Sequence, residues 1–374
     1  GGRRAPRPPP VGTAHAQPQA QGEDAEAGPS FFQQLKGLCG SRARPLANAA
    51  DAPRPAGDER LTSATAEARM EATRGWLKES ALPGADRSVG LAFDEAMALH
   101  RGPSAHPEQP ARIVEVMHQL RASGLAAACV EVPSREATAE ELKRVHAPNF
   151  VDRVLHFEVT AKKKNKAYSF PFGPDTYVNE HTSRAACLAA GSLLALVDAC
   201  MDEESPVRTG MAVVRPPGHH ASQDKAMGFC LFNNVGVAAR HAQTVHGLER
   251  IAIIDWDVHH GNGTSDLFVE DPNVLFFSMH RWEQGFFPGS GILEDAGKHA
   301  ARGYTVNVPL ERGFSDHDVY HVMRYVLCPL IEKFKPEAIF VSAGFDAVKG
   351  DPLGECHVSP EGFGWMTRCL WRLA

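Results

Sequence analysis

Short β-branched runs alternate with longer helical patterns over most of the chain. Met211–Val214, Ile251–Ile254, Val274–Phe277, Tyr304–Val308 and Ala338–Val341 are short runs, most of them β-branched or apolar, that read as buried strands. Between several of them, residues 183–201, 234–245 and 318–334 carry apolar positions at helical spacing. Strand and helix in series predict an α/β fold, an open and mostly parallel sheet with helices on both faces. Organised structure is expected from near Val89, and there is no internal repeat.

The N-terminal part reads differently. Residues 1–60 are rich in Ala, Pro, Gly and Arg and hold few large apolar side chains. Such a stretch cannot bury enough surface to offset its ordering entropy, so a disordered segment is expected. Phe31, Phe32, Leu35 and Leu38 lie on one face of a short helical pattern within it. Residues 61–87 read as a linker or polar helical lead-in, and 88–374 as one large domain. Lys162-Lys163-Lys164-Asn165-Lys166 reads as a solvated loop.

Composition narrows the function classes. The formal net charge of -6 provides no global positive field, which argues against nucleic acid or an anionic membrane surface as partner. No uninterrupted run of 18 apolar residues appears, which argues against a membrane span. The eight cysteines form no CxxC pair and several sit in apolar runs. That pattern fits reduced thiols and a nuclear or cytoplasmic location.

Polar clusters fall where the strands end, which is where open α/β sheets bind ligands. Arg215-Pro216-Pro217-Gly218-His219-His220 follows one strand, and Asp255-Trp256-Asp257-Val258-His259-His260 a second. Ser342-Ala343-Gly344-Phe345-Asp346 follows a third. Asp257 and His259 are two residues apart, so an extended segment would point both to one face. With Asp346 they would make one imidazole and two carboxylates, the three-ligand set of a catalytic zinc with an open position. The tandem histidines suit proton transfer at neutral pH.

These blocks, with Gly-Phe-Cys-Leu-Phe-Asn-Asn at 228–234 and Asp-Trp-Asp-Val-His-His-Gly-Asn-Gly-Thr at 255–264, resemble the signatures of the zinc-dependent histone deacetylases. Gly-Asp-Pro-Leu-Gly at 350–354 and Ser-Pro-Glu-Gly at 359–362 resemble the class II branch, most closely its cytoplasmic tubulin-deacetylase type. Gly90–Asp94, His100 and His106-Pro107-Glu108 match the usual start of the domain.

The resemblance implies an arginase-like fold and one Zn²⁺ held by Asp257, His259 and Asp346. His219 and His220 match the catalytic histidines, with His220 as general base and acid. Asp255 would orient His219, and Asn262, an Asp in class I relatives, would orient His220. Phe229 and Phe287 match the walls of the acyl-lysine tunnel, and Asp175 the rim carboxylate that grips substrate backbone. Asp255 and Ser278 would bind a structural K⁺. The implied reaction is hydrolysis of N6-acetyl-lysine in proteins, on histone tails or substrates such as tubulin, with corepressor-type partners.

Two alternatives stay open. An acetylpolyamine amidohydrolase would want Glu where Leu353 stands. The family's oxyanion-donating Tyr lies in a Gly-Gly-Tyr turn after the next strand, and 1–374 contain no such turn. The expectation is a catalytic domain truncated at its C-terminus. If the chain natively ends at Ala374, the alternative is an inactive acyl-lysine-binding protein.

Overall fold

The computed structural model describes residues 88–157 and 168–374. The expectations for 1–60, for 61–87 and for the Lys162–Lys166 cluster lie outside those residues. Seven strands form: β1 (Ser88–Ala92), β2 (Val130–Glu131), β3 (Val207–Ala212), β4 (Ile251–Asp255), β5 (Val274–Arg281), β6 (Thr305–Leu310) and β7 (Ala338–Ser342). They make two sheets, ordered β2-β1-β3 and β6-β5-β4-β7, and every ladder between them is parallel. All five residues of β4 and all eight of β5 are buried. Ile251, Ile253, Val274 and Phe276 point into one apolar cluster, while Ala252, Ile254, Leu275 and Phe277 are buried on the opposite side. Both faces of β4 and β5 are therefore covered, which is why these strands read as unbroken apolar runs.

Nine α-helices accompany the described strands. The first four are α1 (Ala111–Ala122), α2 (Ala139–Lys143), α3 (Pro148–Leu155) and α4 (Thr182–Met201). The others are α5 (Asn234–His246), α6 (Asn262–Phe268), α7 (Asp316–Val322), α8 (Cys328–Phe334) and α9 (Pro360–Leu373). Helix α4 is long and apolar enough by length and composition to cross a membrane, but most of its apolar window is buried. Ala186, Ala190, Leu194 and Val197 enter the same cluster as Val237, Ala238 and Ala242 of α5, so α4 is a core helix. The seven described cysteines are free thiols.

Several boundaries differ from the sequence reading. The expected strand at Met211–Val214 begins earlier, at Val207, and ends at Ala212. Pairing with β1, from Ser88 opposite Val207 to Ala92 opposite Ala212, draws Arg208, Thr209 and Gly210 into the strand despite their weak apolar signal. The helix expected over 318–334 starts at Asp316, with Ser315 and Asp318 forming a capping box, and is interrupted by a π-helical turn at Met323–Leu327. Strand β5 runs on through Ser278, Met279, His280 and Arg281.

The loop after β3 is anchored by a buried ion pair. The Arg215 side chain is enclosed, and it donates from Nε to Glu108 Oε1 (2.8 Å) and from Nη2 to Glu108 Oε2 (2.6 Å). It also donates to Tyr177 Oη (2.7 Å) and to the Met97 carbonyl (2.8 Å), while Tyr177 Oη donates to Glu108 Oε2 (2.6 Å). Burial alone would raise the Glu108 carboxyl, but the Arg215 guanidinium holds it below the usual range. Arg215 stands at the base of the Pro-Pro-Gly-His-His segment, so this pair fixes where the two histidines emerge. Removing one partner strands a buried charge. Glu108→Gln should destabilise the fold by about 3–5 kcal/mol in urea unfolding, and Glu108→Leu with Arg215→Met should recover much of that loss. A single substitution that left the midpoint unchanged would contradict this role.

Candidate active site

The three polar clusters meet beyond the carboxyl ends of β3, β4 and β7. In the parallel ladder Asp255 pairs with Ser278 of β5 on one side and with Ser342 of β7 on the other. That register brings the segments after β4 and β7 side by side and delivers Asp346 to Asp257 and His259. His259 Nδ1 lies 3.0 Å from Asp257 Oδ1 and 3.0 Å from Asp346 Oδ2. The three donor atoms form one of two groups among the described residues whose geometry suits a metal ion.

Asp257 and His259 do not converge through an extended pleat, as the sequence reading expects. Strand β4 ends at Asp255, and residues 257–259 form a bend. The His259 N–H donates to Asp257 Oδ1 at 2.8 Å, so the aspartate's own turn brings the imidazole back to its carboxylate. The Val258 N–H fixes Asp346 through Oδ1 at 2.8 Å, leaving Oδ2 toward His259. A Cβ on Gly344 would lie 1.9 Å from Asp257 Oδ2, so only glycine allows the β7 loop this close.

The electrostatics of this cluster favour a cation. Burial lowers the His259 basicity, yet the Asp257 and Asp346 carboxylates prevail and push it up to about 10. Burial, then the neighbouring Asp257 charge, raises the Asp346 carboxyl. Burial opposes ionisation of Asp257 too, but His219 and His259 hold it well below the usual carboxylate range. One imidazole and two carboxylates, with no thiolate, provide the nitrogen and oxygen donors of an open catalytic zinc site, so the residues fit that ion.

The tandem histidines have different environments. His219 Nδ1 lies 2.9 Å from Asp255 Oδ2, and Asp255 is fully buried. Burial works against a charge on His219, but Asp255 and Asp257 outweigh it and raise its pKa to about 9. His220 Nδ1 lies 2.7 Å from the Asn262 amide oxygen, which can only accept. Nδ1 therefore carries the proton, and Nε2 is left as the basic atom. The Asn262 amide nitrogen faces Met227 Sδ at 3.8 Å, consistent with that orientation. Burial first, and then the His219 charge, keep His220 well below an ordinary imidazole. The rings lie 3.8 Å apart between centroids, so a charge on one suppresses a charge on the other.

The expected rim residues gather around these groups. Phe287 meets His220 edge-on, with ring centroids 4.9 Å apart. Phe229 has φ +71°, an uncommon conformation for a bulky residue. Its N–H donates to Thr176 Oγ1 (3.2 Å), the Gly228 N–H donates to Asp175 Oδ2 (3.2 Å), and His106 packs on its ring at 4.9 Å. Asp175 thus holds the turn that presents Phe229. At Gly228, φ is +54° and a Cβ would sit 2.4 Å from the His220 ring and 3.0 Å from Phe287 Cζ, so the turn needs glycine. Leu353 is 52% exposed, next to Gly354, which lies against the Asp346 backbone. Ser278 is buried, its Oγ 2.9 Å from His280 Nδ1.

Three supporting residues were not assigned a role from sequence. Phe286 stacks on His259 with centroids 5.1 Å apart and an interplanar angle of 3°. Arg281 lies 4.2 Å over the Phe286 ring and donates to the Gly354 carbonyl at 3.1 Å. It thereby ties the Leu353 loop to the ring that stacks on His259. Asn233 caps α5 through the Gly236 N–H (2.8 Å) and donates to the Ala221 carbonyl (3.1 Å) and Thr264 Oγ1 (3.0 Å). Its signal was present, an Asn directly before a helical pattern.

Comparison with known proteins agrees with this geometry. Residues 106–374 match the histone deacetylase domain family. Histone deacetylase 15 of Arabidopsis thaliana is 42% identical over 293 residues, 76% of this chain and 51% of that protein. Polyamine deacetylase HDAC10 of Homo sapiens is 42% identical over 294 residues, 76% of this chain and 44% of its own length. The chain thus spans about half the length of these curated relatives. The crystal structure of the HDA15 HD domain superposes with a TM-score of 0.72 at 42% identity, covering 78% of this chain and 81% of that one. The chain belongs to the histone deacetylase domain family.

Proposed function

We propose that the protein hydrolyses the acetyl amide of N6-acetyl-lysine in proteins, releasing acetate, with one catalytic Zn²⁺ at Asp257, His259 and Asp346. The carrying observation is the pairing of that donor set with a His220 whose Nδ1–H donates to the Asn262 amide oxygen. When bound, the ion supplies a Lewis acid that polarises the acyl carbonyl and acidifies water. His220 Nε2 takes a proton from the attacking water, which adds to the acyl carbon. As the C–N bond breaks, His220 returns that proton to the departing amine. His219 is held by Asp255 against the His220 ring, where a charge on it disfavours a second charge on His220. Phe229 and Phe287 flank the acyl-lysine stem, an apolar slot suited to four methylenes. Asp175, which already accepts from the Gly228 N–H and the Thr176 hydroxyl, would use its remaining lone pairs to grip substrate backbone at the rim. Asp255 and Ser278, register neighbours with buried oxygens, hold a structural K⁺. Histone tails are one substrate class suggested by the relatives' names, and tubulin remains another.

Acetylated polyamine is the second reading, supported by the relatives named polyamine deacetylases. Recognition of a distal ammonium would need an available carboxylate near Leu353. The neighbouring ones are engaged: Glu283 and Glu355 with Arg281, and Asp351 with the Leu353 and Gly354 N–H groups at 2.8 Å each. This favours acetyl-lysine in protein.

Two measurements follow. Side-by-side kcat/KM values should favour an acetyl-lysine peptide over acetylspermidine, and Leu353→Glu should shift the ratio toward the polyamine. A native preference for acetylspermidine would move the assignment to the second reading. Asn262→Asp would place a charge beside His220 Nδ1 and raise its basicity. A base must be deprotonated to act, so the acid limb of the kcat/KM profile should move to higher pH. An unmoved limb would remove His220 from the proton-transfer role.

A further inference from the structure

A second cluster of metal-ligating side chains lies away from the candidate active site, where α4 packs on α5. Asp198 is near the end of α4, and His241 and His246 lie on the last turns of α5. His241 Nε2 is 2.6 Å and His246 Nε2 2.8 Å from the same oxygen, Asp198 Oδ1. The rings are 5.5 Å apart between centroids and inclined at 68°. Helix α5 ends at Gly247, in the left-handed conformation, directly after His246. That termination lets two histidines five residues apart converge, although one helical face would not bring them together. The His241 side chain is buried, that of His246 is 21% exposed and that of Asp198 43% exposed, so the donors open to solvent on one side.

We infer that Asp198, His241 and His246 form a second, labile binding site for a zinc-type divalent cation. Two imidazole nitrogens and one carboxylate are the donor types and number of an open zinc site. Two N–H groups converging on one carboxylate oxygen mark where a shared cation would replace the hydrogen-bonding protons. Two arginines set the affinity. Arg135 Nη2 lies 3.7 Å from Asp198 Oδ2, but Arg135 is already paired with Glu141 at 2.7 and 2.9 Å. Arg144 Nη1 lies 3.1 Å from His241 Nδ1. A guanidinium can only donate, so His241 Nδ1 accepts and its proton resides on Nε2. Binding an ion at Nε2 therefore requires that proton to move to Nδ1, for which Arg144 must turn aside. Arg144 is exposed, so it has room to move. This change of tautomer and the nearby cationic charge make the site weaker than the candidate catalytic one. An occupied site would staple α4 to α5, the helix that Asn233 caps.

The test starts from protein that has kept its tightly held ion through dialysis. Titration with Zn²⁺, or with Co²⁺ followed by its visible absorption, should reveal one further equivalent of micromolar affinity. Asp198→Asn and His246→Ala should each weaken it at least about tenfold, since removing even an outer partner of a metal site has that effect. Asp346→Asn should leave it intact while weakening the first ion. Arg144→Met, at an exposed position, should tighten it by relieving the competing donor, and this gain cannot arise from misfolding. Absence of a further equivalent would overturn the proposal. So would one that survives Asp198→Asn, or one that Arg144→Met weakens.

Discussion

Two carboxylates held against one imidazole at the ends of adjacent parallel strands are the constraint on which this structure turns. Asp257 and Asp346 cannot both remain charged in a buried site unless something positive lies between them. The β4–β7 register sets the distance, and the Asp257 turn and the Val258 N–H set the direction of each oxygen. The high basicity of His259 is the local answer to that charge, and a divalent ion is the stronger one. The close glycine at 344, the Phe286 stack and the Arg281 tether all follow from keeping these donors together.

A second layer of order divides labour between two adjacent histidines. Asp255 draws charge onto His219, whereas a neutral amide faces His220. Identical side chains are therefore pushed in opposite directions, one toward and one away from a proton, a familiar route to base chemistry at neutral pH. Their position depends on the Arg215–Glu108 pair, which lies outside the reacting centre. An enclosed guanidinium, its donors taken up by Glu108, Tyr177 and the Met97 and His100 carbonyls, gives the Pro-Pro-Gly-His-His segment a fixed base.

Much of this was legible in the residues. Unbroken apolar runs at 251–254 and 274–277 reveal strands buried on both faces, whereas the run at 338–341 forms a strand that is only half-buried, and the polar clusters after 254 and 341 mark the rim. What sequence hid was geometry built from side chains upon backbone. An Asp-x-His pair read as an extended pleat is a turn closed by its own carboxylate. Strand β3 was misplaced because Arg208, Thr209 and Gly210 become strand only when β1 is there to pair with them. Arg281 read as an ordinary charged residue because nothing local announces the aromatic ring and carbonyl it joins. The Asp198–His241–His246 cluster was invisible for the same reason, since its members come from two helices.

The central claim is that one imidazole and two carboxylates hold the catalytic ion. X-ray absorption at the zinc edge, on the ion retained after exhaustive dialysis, tests this most directly. The account predicts a shell of nitrogen and oxygen at about 2.0–2.2 Å, with outer scattering from a single imidazole. Sulfur at about 2.3 Å, or scattering from two or more imidazoles, would contradict it.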